Sequence, residues 1–433
     1  MATSAVPRPP DALAGEFDVV VLGATGFTGR LACEYLAKKA PKGIRWAMAG
    51  RDKLKLEALR KELPNASKEV PIMEVDVADL GALDVMAAKT KVVANFAGTP
   101  YYDKALPVVA ACAQMGTSYV DITGEVPFMR ASADRYDAIA KKTGALICHA
   151  CGFDCVPFDL GVMLAAREMR SRHGVACDRI RTYIKRASGS ASGGTLATVG
   201  YLLALDKNKE GARAARDPYG LDPPDGKGGP DVRDSGEVGM LPHYDEDIQS
   251  WTVPFPLSAV NARVVRRSNA LSKYAYGESM SYGEATMVPN RNTGFVAVAG
   301  LGISLAVMLF PLTRWAAFRW ALPAPGEGPS RAQQEAGFFK LRVVAHGEQD
   351  GDGEEAPKVT VLVESGNGGD PGYKCTARMA IESALCIALE KEFCASAGGV
   401  VTPASGLGQV LVDRLNHSGM VFKTEAKPRG GRK

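Results

Sequence analysis

The sequence predicts an α/β protein: a doubly wound parallel sheet in the N-terminal third, followed by a second α+β domain. Three observations predict it. The run Phe17-Asp18-Val19-Val20-Val21-Leu22 is apolar and rich in β-branched residues, and it leads into glycines at G-x-x-G-x-x-G spacing: Gly23, Gly26 and Gly29. Strand and helix patterns then alternate to about His149. Beyond that point the strand patterns alternate apolar with polar, as in a sheet with one wet face.

The first strand, Phe17–Leu22, opens a Rossmann-type unit. Gly23 can take the positive φ of a sharp turn. Gly26 lets backbone N–H groups approach a pyrophosphate, and Gly29 lets the following helix pack closely on its strand. Thr25, Phe27 and Thr28 complete the turn and begin the helix, whose N-terminus offers partial positive charge to phosphates. Leu31, Tyr35 and Leu36 share one face of that helix. The second strand, Ile44–Gly50, ends at Arg51. An acidic residue there would bond a ribose 2′-hydroxyl, whereas an arginine suits a 2′-phosphate, so the preferred cofactor is NADP, with NAD the lesser fit. A third strand spans Val70–Val77, with Asp76 placed either to bond the adenine amine or simply to make a turn. A fourth, Lys91–Gly98, brings Asn95 and Gly98 to the switch point where open parallel sheets bind ligands. Helix patterns over Leu106–Gln114 and Phe128–Lys142 flank a fifth strand, Ser118–Thr123, and a sixth follows at Ala145–His149.

Hydride transfer also needs a proton donor. Tyr101, just past the fourth strand, is the first candidate by position. Asp154 is the second, with Asp159 beside it; both also suit the start of a helix, where a carboxylate needs no chemistry to explain it. The cluster Cys148, His149, Cys151 and Cys155 has ligand types for zinc, but no second Cys/His pair follows at zinc-site spacing. The reading is therefore no metal, with the thiols packed as small apolar groups. A helix N-terminus near Cys155 would lower its pKa, the requirement for a redox role.

At 433 residues the chain exceeds one ordinary core. The expected divisions are a short tail (1–15), a dinucleotide-binding domain (16–165), a second domain (166–422) and a basic tail (423–433). A net charge of +4 does not favour nucleic acid as a partner. Nine cysteines without regular pairing, and a start lacking secretory or transit character, point to a reducing intracellular compartment.

Two strings carry a resemblance: Asp121-Ile122-Thr123-Gly124-Glu125, and Cys151-Gly152-Phe153-Asp154-Cys155-Val156-Pro157-Phe158-Asp159-Leu160-Gly161. With Ser192-Gly193-Gly194-Thr195, Gly326-Glu327-Gly328-Pro329, Asp370-Pro371-Gly372-Tyr373 and Gly398–Ala404, the chain resembles the saccharopine dehydrogenase-like oxidoreductases from Phe17 to Phe422. The resemblance implies a Rossmann domain for a nicotinamide cofactor and a second α+β domain. It extends to proteins of uncertain substrate and to bacterial trans-acting enoyl reductases of lipid synthesis. Cys155 stands where many relatives carry serine, and Lys104-Ala105-Leu106 replaces a Tyr-Gly-Glu frequent after the fourth strand.

In the second half, Arg179–Lys185, Lys340–Ala345 and Val359–Val363 read as strands and Ala377–Phe393 as a long buried helix. Asp206–Asp247 reads as a surface loop, a lid being the alternative. Thr293–Thr313 holds no charged residue, and Arg314, Trp315, Phe318, Arg319 and Trp320 follow it. That is membrane-span length. Pro311, Gly300 and Gly302, with the requirement to keep both parts of the second domain on one side, favour a peripheral helix or shallow hairpin over the segment 293–320. Burial at a domain or homodimer interface is the alternative. The resulting expectation is an NAD(P)H-dependent oxidoreductase acting on a lipid-like substrate at a membrane or lipid-droplet surface. A non-catalytic cofactor-binding scaffold on the same fold is the reading from a different class.

Overall fold

The computed structural model describes residues 15–64, 70–189, 211, 213–226, 239, 241–320, 328–349 and 356–425. Its first sheet contains β1 (Phe17–Leu22), β2 (Trp46–Gly50), β3 (Ile72–Glu74), β4 (Thr90–Asn95), β5 (Ser118–Asp121) and β6 (Leu146–Cys148). The connecting helices are α1 (Phe27–Lys39), α2 (Lys53–Glu62), α3 (Leu80–Lys89), the short α4 (Tyr101–Lys104), α5 (Leu106–Met115) and α6 (Val126–Thr143). All pairings are parallel, in the order β6-β5-β4-β1-β2-β3, the doubly wound arrangement expected. The third strand is shorter than the expected Val70–Val77. Pro71 has no N–H to offer the ladder, and Asp76 turns the chain by accepting from the Ala78 N–H (3.0 Å).

A seventh strand, β13 (Gly399–Val401), joins beside β6 from the far end of the chain. The helix before it, α12 (Thr376–Glu390), is buried over nearly its whole length and packs on α1, β1, β4 and β5. It supplies the helical cover that the first half does not provide for its own β4–β5 face. Pro371–Cys375 forms a wide helical turn leading into it.

The second sheet has the order β14-β12-β11-β7-β10-β9-β8. Its members are β7 (Cys177–Ser188), β8 (His243–Asp245), β9 (Ser250–Pro254), β10 (Ser281–Val288), β11 (Phe338–Gly347), β12 (Lys358–Glu364) and β14 (Val421–Thr424). Helix α7 (Val156–His173) leads into it from the first sheet and lies close against it: a Cβ added to Gly161 would stand 2.9 Å from Val343. The expected domain division at 165/166 falls within α7. Helices α8 (Ser258–Leu271) and α13 (Gly408–His417) pack on α7, and one apolar core runs through both sheets.

The described part of the loop between β7 and β8 is pinned rather than loose. Arg267 on α8 donates to the Leu221 carbonyl, Arg130 on α6 donates to that of Asp222 (2.8 Å), and Leu221 is buried. The residues 190–210 and 227–238 lie outside the described ones, including the Ser192–Thr195 string.

The uncharged stretch forms two helices. Asn290 caps α9 (Arg291–Leu309) through the Thr293 N–H (3.0 Å). The helix stops at Phe310, and Pro311 opens α10 (Pro311–Trp320). Only 11% of the apolar window of α9 is buried; Val296 is 74% and Leu312 76% exposed. The strands on either side, β10 and β11, both pair with β7. The chain therefore leaves the sheet and returns to it on the same side, and α9 does not cross between separated halves.

Candidate functional site

The cleft is built at the C-terminal ends of β1 and β4, where the strand order reverses. Gly23 has φ +81°, and a Cβ there would stand 2.6 Å from the Ala97 nitrogen. Any side chain would push the turn into the segment after β4. A Cβ on Gly29 would meet the Gly23 carbonyl oxygen at 2.1 Å, so this glycine lets α1 sit directly on the turn. At exposed Gly26 the sole neighbour of an added Cβ is the Gly23 oxygen at 3.2 Å, so the other side of the turn is open. No side chain caps α1. Its first N–H groups, from Phe27, Thr28 and Gly29, face outward without an intrahelical acceptor. An open glycine cradle at an uncapped helix N-terminus fits a pyrophosphate.

Phe27 itself points away from that cradle. Its ring meets the edge of Tyr373 (centroids 5.1 Å apart) and lies under Gly328. Arg51, exposed beyond β2, has no ion-pair partner among the described residues, and the neighbouring Asp52 is engaged in capping α2 through the Lys55 N–H (3.0 Å). Arg51 is thus open to a 2′-phosphate. Asp76 is held in its own turn, the simpler of its two expected roles. Gly98 has φ +85° and carries the chain around the end of β4.

Asn95 acts one step back from the cleft. It is fully buried, donating to the Tyr119 hydroxyl (3.0 Å) and accepting from the Ala97 N–H (2.9 Å), and so holds the turn against which Gly23 packs. Tyr101 is likewise inside. Its hydroxyl donates to the Asn95 carbonyl (3.2 Å), its ring packs on Phe128, and burial raises its pKa well above the ordinary phenol value. The expectation that Tyr101 presents a proton to the cleft is corrected by this geometry.

Asp154 is placed differently. It lies partly exposed beyond β6, with Oδ2 3.6 Å from where a Gly124 Cβ would be. Desolvation lifts its carboxyl to about 6. Among the described residues no hydrogen bond is made to this carboxylate. Asp159 instead joins three elements: it accepts from the Ser268 hydroxyl on α8 and from the Ala404 N–H (2.8 Å), and burial lifts it to about 7. Cys155 is buried, and desolvation pushes its thiol up rather than down, which removes the basis for a reactive thiolate.

The other ligand-type residues disperse into the interior. Cys148 and Cys151 touch each other (Sγ–Sγ 3.4 Å). His149 bridges Asp121 (2.7 Å) and Ser132 (2.8 Å), all three buried. Among the described residues no group of three His, Cys, Asp or Glu side chains is gathered for a metal.

The structural roles of two quoted motifs escaped the sequence reading. Buried Glu125 accepts from the Tyr101 and Tyr102 N–H groups (2.8 and 2.9 Å) and so fixes the turn after β4. The Asp370-Pro371-Gly372-Tyr373 string sits beside the glycine turn. Asp370 accepts from the Tyr373 and Lys374 N–H groups (3.0 and 3.1 Å), and Thr376 accepts from the Phe153 N–H (3.0 Å). The signal for the second was an Asp-Pro-Gly turn directly before a helix pattern.

Comparison with known proteins places these features. Residues 19–148 match the saccharopine dehydrogenase NADP-binding domain. A Mycobacterium tuberculosis protein named trans-acting enoyl reductase is 35% identical over 433 residues, covering 94% of this chain and 98% of its own length. Another M. tuberculosis relative, provisionally given that name, is 36% identical over 426 residues, or 94% and 97% of the two chains. The structure of saccharopine dehydrogenase (L-Glu forming) from Saccharomyces cerevisiae aligns over 94% of this chain and 99% of its own, with TM-score 0.54 and 15% identity, a likeness of fold. The open glycine turn, the exposed Arg51 and the full-length similarity agree: the chain belongs to the saccharopine dehydrogenase-like family of NADP-binding oxidoreductases that includes the trans-acting enoyl reductases.

Proposed function

We propose that this oxidoreductase reduces an α,β-unsaturated acyl lipid at an intracellular membrane or lipid-droplet surface. The single observation that carries the lipid assignment is the α9–α10 hairpin, uncharged from Thr293 to Thr313, exposed on nearly every side, and rooted in the sheet beside the cofactor cleft. Trp315 and Trp320, each directly following an arginine (Arg314 and Arg319), pack edge to face (5.4 Å), a mixture suited to a membrane interface. The relatives' names supply the reaction class.

The chemistry that NADPH would supply when held in the cleft is a hydride for the β-carbon of the enoyl group. The chain's own part is to bind the phosphates at Gly23–Gly29 and the 2′-phosphate at Arg51, and to deliver a proton to the α-carbon. Asp154 is the proton donor in this reading, because it is a partly exposed carboxyl beyond β6 that accepts no hydrogen bond among the described residues. The hydride and the proton together would account for the two new C–H bonds as the double bond becomes single.

The test is NADPH oxidation with a long-chain trans-2-enoyl thioester presented in phosphatidylcholine vesicles. The expected result is cofactor consumption and an acyl product two hydrogens heavier. Tight NADPH binding with no turnover would favour the scaffold reading. A soluble dimer that buries the hairpins and never floats with vesicles would assign them to a second copy of this chain.

A further inference from the structure

The second sheet has two ends, and its geometry assigns them different surroundings. At one end β7 finishes at Ser188, β10 finishes at Val288 and β11 begins at Phe338. β10 runs parallel to β7 (Thr286 opposite Ile184), and β11 runs antiparallel to it (Phe338 opposite Ser188). This is also the cofactor end. A Cβ on Gly189 would lie 3.0 Å from Pro371, whose turn carries Tyr373 onto Phe27 of the glycine turn. Phe339 packs on Phe153, next to Asp154 (centroids 4.8 Å apart).

The hairpin leaves and returns at this same end. It leaves after Val288, with Arg291 stacked over Trp251 (5.9 Å) and Gly294 packed against Pro242 and Val253. Where the chain is next described, Gly328 lies on the Phe27 ring, and Arg331 pairs with Glu34 of α1. Anything that holds the hairpin therefore holds the cleft mouth beside it.

The surface around the root has the matching chemistry. Lys185 and Arg186 are exposed at the end of β7, Arg186 lying over the Phe338 ring (5.6 Å), and Arg291 is exposed at the start of α9. Leu241 and Tyr244 are exposed next to Trp251, with the Tyr244 and Trp251 rings 5.9 Å apart. Cations and aromatic rings around the base of an uncharged hairpin suit anionic lipid headgroups.

The geometry points to a fixed docking orientation: the cofactor end of the second sheet rests on an anionic bilayer, with Lys185, Arg186 and Arg291 among the headgroups, the hairpin inserted, and the cleft opening onto the lipid. The substrate class that follows is an acyl chain still seated in the membrane, which reaches Asp154 without crossing water. This inference rests on the lipid reading above and adds the orientation to it.

Energy transfer tests it on the full-length protein. NADPH is bound, and vesicles of phosphatidylcholine with phosphatidylserine are added, carrying a headgroup-labelled nitrobenzoxadiazole lipid as acceptor. The expected result is loss of NADPH emission with sensitised acceptor emission. Lys185→Glu with Arg186→Glu should reduce flotation with phosphatidylserine vesicles several-fold, while leaving NADPH affinity in solution unchanged. Protein that floats but whose NADPH emission is untouched overturns the orientation and leaves the lipid reading standing. Protein that does not float overturns both.

Discussion

Gly26 and Gly29 look alike in sequence and do different work. An added Cβ at Gly29 collides with backbone, whereas at Gly26 it meets one oxygen at a tight but tolerable distance. Gly26→Val should therefore give a folded protein that has lost NADPH affinity at least tenfold by titration, while Gly29→Val should lower thermal stability as well. Arg51→Asp should weaken NADPH binding by about 1–3 kcal/mol, the scale of a lost charge-assisted bond, with far less effect on NADH. For the proton, Asp154→Asn should lower kcat by roughly 10²–10⁴ with NADPH affinity retained. With the carboxyl at about 6, the wild-type rate should fall as pH rises through that value, because the acid form is lost, and the variant should lack this limb. Tyr101→Phe should keep kcat within a few-fold and instead cost about 0.5–1.5 kcal/mol of stability, the worth of its bond to the Asn95 carbonyl. The glycine turn was legible because such a turn is local: spacing and strand context place Gly23, Gly26 and Gly29 within a few residues of one another. Tyr101 misled because its position after β4 was local, but its direction was set by Glu125 and Phe128, which chain order does not bring near it.

Among the elements, the hairpin was legible in length and lack of charge, and its return to the same sheet follows from pairings on both sides of β7 that no local pattern reveals. The second-half strands were legible from alternation. The turn between β8 and β9 was not, because its role depends on charges drawn from three strands. Asp247 pairs there with Arg179 of β7 (3.0 Å), His346 of β11 (2.9 Å) and Lys358 of β12 (3.1 Å). The His346 hydrogen bond, and after it Lys358, hold the Asp247 carboxyl well below the usual range in spite of partial burial. A carboxyl depressed in the folded state stabilises it above the unfolded value near 3.9, and that contribution drains away as pH falls through the folded value. Asp247→Asn should accordingly destabilise the protein by about 1–3 kcal/mol at neutral pH. Denaturant melts of the two proteins should converge as pH drops below about 4; a gap that stays constant would show that the ion cluster is not its source.

Across the whole molecule, α12 and β13 make the two sheets one cooperative body. Ile381 and Leu385 are fully buried on α12, against elements of the first half. Leu385→Ala should cost about 2–5 kcal/mol, and the NADPH-binding half should melt together with the rest in a single calorimetric transition. Separate transitions, with only the later one displaced, would contradict the shared core. A fragment ending at residue 165 should expose the β4–β5 face and aggregate. The same feature sets the order of events during synthesis. Six strands of the cofactor sheet emerge from the ribosome by Cys148, yet the cover for β4 and β5 arrives only with Thr376–Glu390, and the edge partner of β6 only at Gly399. The apolar hairpin emerges before either. The nascent chain thus displays its apolar segment while the nucleotide site is still unfinished, so whatever binds exposed apolar helices meets it first, and the nucleotide site is completed last.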